Sequence, residues 1–336
     1  MVSYSELICC RLKNYIKLYH GKIVSASYHV NHMERSKSHP NTMLYSDGSA
    51  LLKFDFSTKY FGQKGDVVAG WPTTHGYKNG AGKNAQFFYI TGFVQLNQQY
   101  TVAVDNANHC LRLIDTRSGA TQRFAGTCGE GTGKGYADGD RLNSARFEFP
   151  QKIIIMGNYY YITDELNNAI RSLRIGHGMV NTVIKGSSWL PHPRGLVGDS
   201  AQRYLYVTIR HGIIRVDPNT GGTEIISASL SRGWGDGSFS SARFNYPAEL
   251  VFLAKDILVV ADEKNYLLRI LNLKTKKVSS VCNGVKQLAT GTGGSDCSLN
   301  DARAVLFLGR FLYTGEWTAI RRFEVSNPKP VDTIFG

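Results

Sequence analysis

The sequence predicts an all-β protein in which one four-stranded antiparallel sheet recurs six times. The clearest copy occupies residues 134–186, where four short runs of β-branched and aromatic residues alternate with clusters of Gly, Asn and Asp. Runs of this length between such turn residues are typical of strands rather than helices. One sheet of this kind cannot bury both of its faces, so we expect further copies.

A polar loop between the second and third predicted strands marks each copy. It has the form Asp-x-x-Asn-x-x-(Ile/Leu)-Arg. Three copies are complete: DNANHCLR at 105–112, DELNNAIR at 164–171 and DEKNYLLR at 262–269. Three degenerate copies keep the final basic residue: SDGSALLK at 46–53, TIRHGIIR at 208–215 and TGEWTAIR at 314–321. Five copies then end on a glycine, at positions 70, 126, 186, 284 and 336, and the fourth ends on Ala228.

A second motif precedes some of the copies. It reads DGDRLNSARFEFP at 138–150 and DGSFSSARFNYP at 236–247, with weaker versions at 79–87 and 296–304. Repetition at fixed offsets favours an architectural role. We therefore expect Phe147 and Phe244 to fill gaps between sheets, and Arg146 and Arg243 to brace the inserts. The Asp and Asn suit a tight turn, and the following Arg or Lys is expected to pair with a carboxylate or carbonyl nearby.

Together the motifs resemble the NHL repeat, whose Asn-His-Leu triplet reads Asn108, His109, Cys110 here. The resemblance covers about residues 41–336 and implies a six-bladed β-propeller built of four-stranded antiparallel blades, an architecture that commonly has four to eight blades. The expected organisation is a leader of uncertain structure at 1–20 and one propeller domain at 21–336. Residues 21–30 are expected to form the first strand of blade 1, and residues 32–40 a polar loop. The chain is expected to finish on an outer strand of blade 6.

Four of the six cysteines are candidates for disulfides. Cys110 and Cys128 flank the fourth strand of blade 2, and Cys282 and Cys297 flank the loop into blade 6. Free cysteines acting as small apolar residues are the alternative. Disulfides would place the protein in an oxidising compartment, which favours an extracellular location, although residues 1–20 lack the features of a signal peptide.

The formal net charge of +13 favours an anionic partner. No apolar run is long enough to span a bilayer. A protein or extracellular ligand is the expected partner, single-stranded RNA is the alternative, and the oligomeric state is open.

The four tryptophans indicate where such a partner binds. In a propeller the loop between strands 2 and 3 and the loop into the next blade emerge on one face. All four tryptophans fall in these loops, and basic residues accompany them. The candidate ligand-binding residues are Trp71, Trp189, Trp234, Trp317, His192, Arg194, Arg210, His211 and Arg232. Trp and Arg are enriched at binding hot spots, and aromatic rings with cations also suit stacking on bases. The alternative is that each indole pins its own loop to a blade.

Catalysis is the third hypothesis. The resemblance extends to propeller enzymes such as the zinc-dependent peptide-amidating lyase and calcium-dependent lactonases. In the lyase pattern a His follows the Pro that opens a first strand, but here Gln151 follows Pro150 and Ala248 follows Pro247. No nucleophile elbow, His-Glu-x-x-His or phosphate-binding loop is present. We therefore favour a non-enzymatic interaction module, with no catalytic or metal-binding residues and no cofactor assigned.

Overall fold

A computed structural model describes residues 16–17, 22–60, 62–186, 188–227, 231–281 and 299–325. Six antiparallel sheets follow one another along this chain, each with four or five strands. Their inner strands contact one another in sequence around a central axis, and the sixth contacts the first. The predicted fold, an all-β six-bladed propeller, is confirmed.

Within each blade the strands run in chain order from the axis outward. Blade 1 contains Met33–Arg35, Thr42–Asp47, Ala50–Asp55 and Asp66–Gly70. Blade 2 contains Ile90–Gln95, Tyr100–Asp105, Cys110–Asp115 and Thr121–Ala125. Blade 3 contains Pro150–Met156, Tyr159–Asp164, Ala169–Arg174 and Met179–Lys185, with Gly139–Asp140 added at its outer edge. Blade 4 contains Leu196–Gly198, Leu205–Ile209, Gly212–Val216 and Thr223–Ile225.

Blade 5 contains Pro247–Ala254, Ile257–Asp262, Leu267–Asn272 and Lys277–Ser280, with Gly237–Ser238 at its outer edge. Blade 6 contains Ala304–Leu308, Phe311–Gly315 and Ala319–Val325. The helices of the described residues are two single 3₁₀ turns, Gly82–Asn84 and Glu263–Asn265. No helix in the described part of the chain could cross a membrane.

The N-terminal segment closes the ring, which corrects two expectations. Lys22–Ser25 pairs antiparallel with Ala319–Val325, so it is an outer strand of blade 6 and not the first strand of blade 1. Ile16–Lys17 pairs with the far end of the same strand. Met33–Arg35, which the sequence suggested to be loop, is the true inner strand of blade 1. The misassignment has a simple cause: KIVS and the short MER strand both lack the flanking motifs that identify the other blades. The predicted closing segment after residue 325 lies outside the described residues.

The hydrophobic core consists of six clusters, one at each interface between neighbouring blades. Phe147 is fully buried between Val104 of blade 2 and Ile162 of blade 3, and Phe244 has the equivalent place between blades 4 and 5. Burying one such ring contributes roughly 1.5–3 kcal/mol. The predicted role of these two phenylalanines in filling the gaps between sheets is confirmed.

The repeated arginine joins the two sequence motifs in one hydrogen-bonding network. In blade 3 the guanidinium of Arg171 is fully buried and donates through Nη1 to Asp164 at 2.8 Å and through Nη2 to Asp138 at 2.7 Å. It also donates to the carbonyls of Arg146 and Ala137. Burial raises the pKa of Asp164 to about 6, and the positive charge of Arg171 opposes this rise.

The same network recurs in blades 2 and 5. There the buried arginine binds the strand-end Asp and an Asn or Asp of the preceding insert: Arg112 binds Asp105 and Asn79, and Arg269 binds Asp262 and Asp236. Arg146 also donates to Thr127 at the start of its insert. These contacts hold each long insert against the blade that follows it. The pairing of the repeated arginine with a carboxylate of its own blade was predicted, whereas its contact with the insert was not.

The degenerate copies differ in turn length. The second and third strands are joined by two residues in blades 1 and 4, Gly48–Ser49 and Arg210–His211, and by three in blade 6, residues 316–318, instead of four. Glu316 consequently takes the position of the strand-end Asp in blade 6 and pairs with Arg321 at 3.2 Å. The sequence frame placed this position two residues earlier, at Thr314, because it assumed a turn of constant length.

Replacement of Arg171 by methionine is expected to destabilise the protein by about 3 kcal/mol, because it removes the positive charge that pairs with the buried Asp164 and four buried hydrogen bonds. Arg174→Met is the matched control, since that arginine lies on the same strand with an exposed side chain. Chemical denaturation of both variants measures the difference. Equal stability of the two would contradict the network's structural role.

Replacement of Val24 by alanine tests the closure of the ring. Val24 is fully buried in the cluster between blades 6 and 1, so we expect a loss of about 2 kcal/mol in the free energy of unfolding. Val207→Ala, at a fully buried position in the core of blade 4, provides the reference value. A negligible effect at Val24 with a normal effect at Val207 would show that the N-terminal strand is not integral to the fold.

Candidate functional site

A cavity of about 340 Å³ lies at the axis of the ring. We call the side on which it lies the top face: it carries the turns between second and third strands and the loops leading into each next blade. The cavity is lined by Tyr28, His29, Asn31, Tyr89, Thr91, Asn106, Gln151, Lys152, Arg194, Gly195, Ala248, Glu249 and Arg303. All six blades contribute residues from the inner strand or from the loop before it, and blade 2 also contributes Asn106 from the turn after its second strand. The size is within the range of small-molecule and side-chain pockets.

A ring of six residues, which we call the floor, surrounds the axis, with one residue in or just before the inner strand of each blade. Three of them, Lys152, Gly195 and Glu249, line the cavity. Going round the ring from blade 1, these equivalent positions hold His32, Gly92, Lys152, Gly195, Glu249 and Ala304. Ionisable and small residues therefore alternate. A Cβ atom added to Gly195 would lie 2.2 Å from the carbonyl oxygen of Ala248, and one added to Gly92 would lie 2.8 Å from that of Gln151. The small residues are needed because the neighbouring backbone leaves no room for a side chain.

The three ionisable floor residues contact one another across the axis. Glu249 is hydrogen-bonded to Nδ1 of His32 at 2.7 Å and accepts from Lys152 through the same oxygen, while its other oxygen accepts the backbone N–H of Val305. All three side chains are buried. Burial and Lys152 lower the pKa of His32, but Glu249 and Glu34 outweigh them and the net pKa is raised. The triad joins blades 1, 3 and 5 and closes the cavity below.

The wall is formed by the residue before each floor position: Asn31, Thr91, Gln151, Arg194, Ala248 and Arg303. Most are polar, and two are arginines from blades 4 and 6. Between them, Asn106 of blade 2 projects from its turn and donates to the carbonyl of Pro150 at 2.8 Å. The wall thus offers amide and guanidinium groups to a ligand.

Glu263, in the turn between the second and third strands of blade 5, contacts both wall arginines. Its carboxylate accepts from Arg194 at 2.7 Å and lies 3.1 Å from Nε of Arg303, and Lys264 contacts it at 3.0 Å. Although burial alone would raise the pKa of Glu263, the three cations lower it to about 2. Glu263 is 2 % exposed, so its charge is largely hidden from the cavity while the arginines reach the surface.

Aromatic rings form the side of the mouth next to blades 1 and 2. Tyr28 and Tyr89 stack at 5.9 Å, and Trp317 lies 4.2 Å from the ring of His29. Burial, together with the nearby Arg303, lowers the pKa of His29 to about 4. His29 is therefore neutral at pH 7 and acts with the other rings as part of an uncharged surface.

The tryptophans all lie on the top face but in different environments. Trp234 is 75 % exposed, whereas Trp317 and Trp71 are a little under half exposed. Trp71 is covered by the ammonium group of Lys83, 4.7 Å from the ring centroid. Trp189 is half-buried and packs against the core between blades 3 and 4. The alternative role, pinning a loop to its blade, thus describes Trp189, while the other three indoles remain accessible.

The predicted basic residues gather beside blades 4 and 5. Arg210 donates from Nε to the hydroxyl of Tyr246 at 2.9 Å, and His211 meets the same ring edge-on at 5.1 Å. Burial, Arg210, Arg232 and His192 all lower the pKa of His211. Arg194 is separate from this group, because it lies in the cavity wall.

Cys110 and Cys128 form a disulfide between the third strand of blade 2 and the loop that follows the fourth, as their positions suggested. Cys282 and Cys297 lie outside the described residues. Among the described residues no three His, Cys, Asp or Glu side chains are arranged to hold a metal ion.

Of the residues around the axis, the sequence singled out Arg194 alone as a candidate for ligand binding. The enzyme pattern concerns the residue after Pro150 and Pro247, where Gln151 and Ala248 belong to the wall; the floor residues Lys152 and Glu249 come one position later. In blades 1 and 6 no proline marks the frame, so His32 and Arg303 carried no signal. An offset of two residues from the strand-opening proline would have revealed the pair in blades 3 and 5.

Comparisons with known proteins support the repeat type and the fold. No family model matches the chain. NHL repeat-containing protein 2 of Homo sapiens is 26 % identical over 141 residues, covering 35 % of this chain and 19 % of that protein, and the Bos taurus protein matches equally. The chain thus covers about a fifth of the length of these curated relatives.

Solved structures match over nearly the whole chain at low identity. A Bacteroides thetaiotaomicron protein of unknown function has a TM-score of 0.63 at 16 % identity, covering 93 % of this chain and 73 % of that one. An auxiliary nutrient binding protein from Bacteroides ovatus gives 0.65 at 16 %, covering 91 % and 74 %. Virginiamycin B lyase from Staphylococcus aureus gives 0.55 at 12 %, covering 92 % and 99 %.

The fold, the repeated Asp–Asn–Arg turns and these matches define a six-bladed β-propeller whose repeats are similar to NHL repeats. The structural neighbours include a protein described as nutrient-binding and a lyase. At such identities they establish the fold and not the activity.

The ion pairs of Glu263 are expected to make stability depend on pH. The pKa of Glu263 is lowered in the folded protein, so its contribution is fully present above about pH 4.5 and is lost as the pH falls towards about 2. A shift of this size corresponds to about 3 kcal/mol. Glu263→Gln should therefore destabilise the protein at pH 7 and much less at pH 3, as measured by urea denaturation.

Glu224→Gln is the control, because that carboxylate is exposed in its pair with Arg215. It is expected to change stability by less than about 0.5 kcal/mol at either pH. If the loss caused by Glu263→Gln is the same at pH 3 and pH 7, the carboxylate does not carry the proposed charge.

Proposed function

We propose that the protein is a binding module that recognises another protein through its top face. The observation that carries this proposal is the placement of Trp71, Trp234 and Trp317, three accessible indoles in three different blades on the same face as the axial cavity. Keeping large aromatic groups in water is unfavourable, and accessible Trp near Arg is typical of interface hot spots.

The distribution of the other groups supports the same proposal. Aromatic rings flank the mouth beside blades 1 and 2, and Arg210, Arg232 and His211 lie beside blades 4 and 5. A partner surface that combines apolar and acidic groups would complement both sides. Trp189, which packs on its own blade, is not expected to contribute directly.

Selection of a random dodecapeptide phage library on the immobilised protein tests this function. Clones that bind the wild type are expected to lose at least 10-fold in affinity for Trp234→Ala or Trp317→Ala, because truncating a hot-spot side chain costs more than about 1.4 kcal/mol. The control is Tyr60→Ala, since Tyr60 is 81 % exposed in a loop on the opposite face. Clones that are insensitive to both tryptophan variants, or that depend on Tyr60, would contradict recognition by the top face.

The same variants distinguish a protein partner from RNA. Filter binding with a single-stranded RNA of mixed sequence is expected to show weak retention that does not depend on Trp234 or Trp317. Tight binding that falls steeply between 50 and 200 mM salt, roughly in the manner expected when phosphates release counterions, and that is lost on charge reversal of Arg210 and Arg232, would replace the protein-binding proposal with an RNA-binding one.

A further inference from the structure

Arg303 is the wall residue with the most unused hydrogen-bonding capacity. A guanidinium offers five N–H donors. Among the described residues, that of Arg303 donates one hydrogen bond, to Oδ1 of Asn31 at 3.5 Å, while its Nε lies 3.1 Å from Glu263 without the alignment of a hydrogen bond. The architectural Arg171, by contrast, donates four hydrogen bonds from its two Nη atoms. The side chain of Arg303 is 27 % exposed and lines the cavity.

Cationic side chains outnumber carboxylates in the lining of the cavity. The lining contains Arg194, Arg303 and Lys152 but one carboxylate, Glu249. Both oxygens of Glu249 are already engaged in the floor. The counter-charge of the arginines is supplied by Glu263, which is 2 % exposed and does not line the cavity. An entering group therefore meets the guanidinium donors and not the carboxylate of Glu263.

The neighbouring groups indicate the same polarity. His29 shares the mouth. Burial is the main cause of its lowered pKa, Arg303 adds to the lowering, and Asp301 and Glu263 oppose it. Of these charged neighbours Arg303 has the largest effect, and its positive charge favours an anion beside it. Tyr28 and Tyr89 stack beside it and offer apolar surface to the methylene groups that carry a side-chain carboxylate.

We propose that the cavity receives an acidic side chain of the partner protein, whose carboxylate pairs with the free N–H groups of Arg303. This inference rests on the proposed function and specifies its ligand. Arg is suited to the role, because its planar fork binds a carboxylate with two parallel hydrogen bonds. Arg194 adds positive charge at the other oxygen of Glu263, although its own Nη1 already donates to Glu263 and to the carbonyl of Tyr246.

The test uses three short probes titrated into the full chain and followed by NMR. They are acetyl-Gly-Gly-Glu-Gly-Gly-amide, the same peptide with Gln in place of Glu, and acetylated pentaglycine with a free C-terminal carboxyl group. The Glu peptide is expected to bind at least 10-fold more tightly than the Gln peptide and to shift the ring resonances of His29. Equal binding of the Glu and Gln peptides would overturn the proposal. Tight binding of pentaglycine alone would also overturn it, because the site would then recognise a chain end.

Three variants locate the binding group. Arg303→Gln should lower the affinity for the Glu peptide at least 10-fold. Arg303→Lys keeps the charge opposite Glu263 and should recover only part of the affinity, since an ammonium lacks the planar fork. Arg310→Gln is the matched control: it removes the same charge from the same blade, at an exposed site between the first two strands on the opposite face, and should leave the affinity unchanged.

Failure of this inference can be told apart from failure of the proposed function. If selected phage peptides require Trp234 and Trp317 while Arg303→Gln, folded as judged by an unchanged melting temperature, binds the Glu peptide as well as the wild type does, the acidic-anchor proposal is wrong and recognition by the top face stands. If the phage peptides do not require the tryptophans, the function itself is wrong, whatever the Glu peptide does.

Discussion

The buried pairing of an arginine with a strand-end aspartate is the interaction on which the rest of the structure depends. In blades 2, 3 and 5 one guanidinium binds a carboxylate of its own blade, two backbone carbonyls and a polar side chain of the preceding insert. A charge of this kind is tolerated away from water only because nearly all of its donors are used. The result is that long polar loops on the top face are held in fixed positions, and a recognition surface built from them does not have to be ordered each time a partner binds.

The repeated features of the fold could be predicted from the sequence because they repeat. The Asp-x-x-Asn turns, the Ala-Arg-Phe inserts and the phenylalanines between blades recur at constant offsets, and each has a local physical reason. The errors occurred where that constancy fails. Blade 6 shortens its turn and replaces Asp by Glu316, and the closing strand Lys22–Ser25 has no motif because its partner is almost 300 residues away. Such long-range pairing follows from the closure of the ring and not from any local pattern.

The candidate site was predictable in outline only. The topology of a propeller places the tryptophans and their basic neighbours on one face, and they are found there. Which indole is covered, however, depends on packing. Trp189 is half-buried against the core, while Trp234 is exposed to solvent. The cavity itself arises from residues of six inner strands that are far apart in the sequence. His32, Lys152 and Glu249 have no common motif, and only the ring brings them together. Arg303 differs from the architectural arginines in its surroundings, and no sequence motif indicates those surroundings.

The alternation around the axis restricts how this ring can be built. Ionisable and small residues take turns at the floor, in the order His32, Gly92, Lys152, Gly195, Glu249, Ala304, and the glycines have no room for anything larger. A pattern with a period of two blades closes on itself only when the number of blades is even. Gain or loss of a single blade would set two bulky or two small residues side by side, whereas gain or loss of a pair would preserve the order. The residues around the axis therefore repeat every two blades, whereas the sequence repeat corresponds to a single blade.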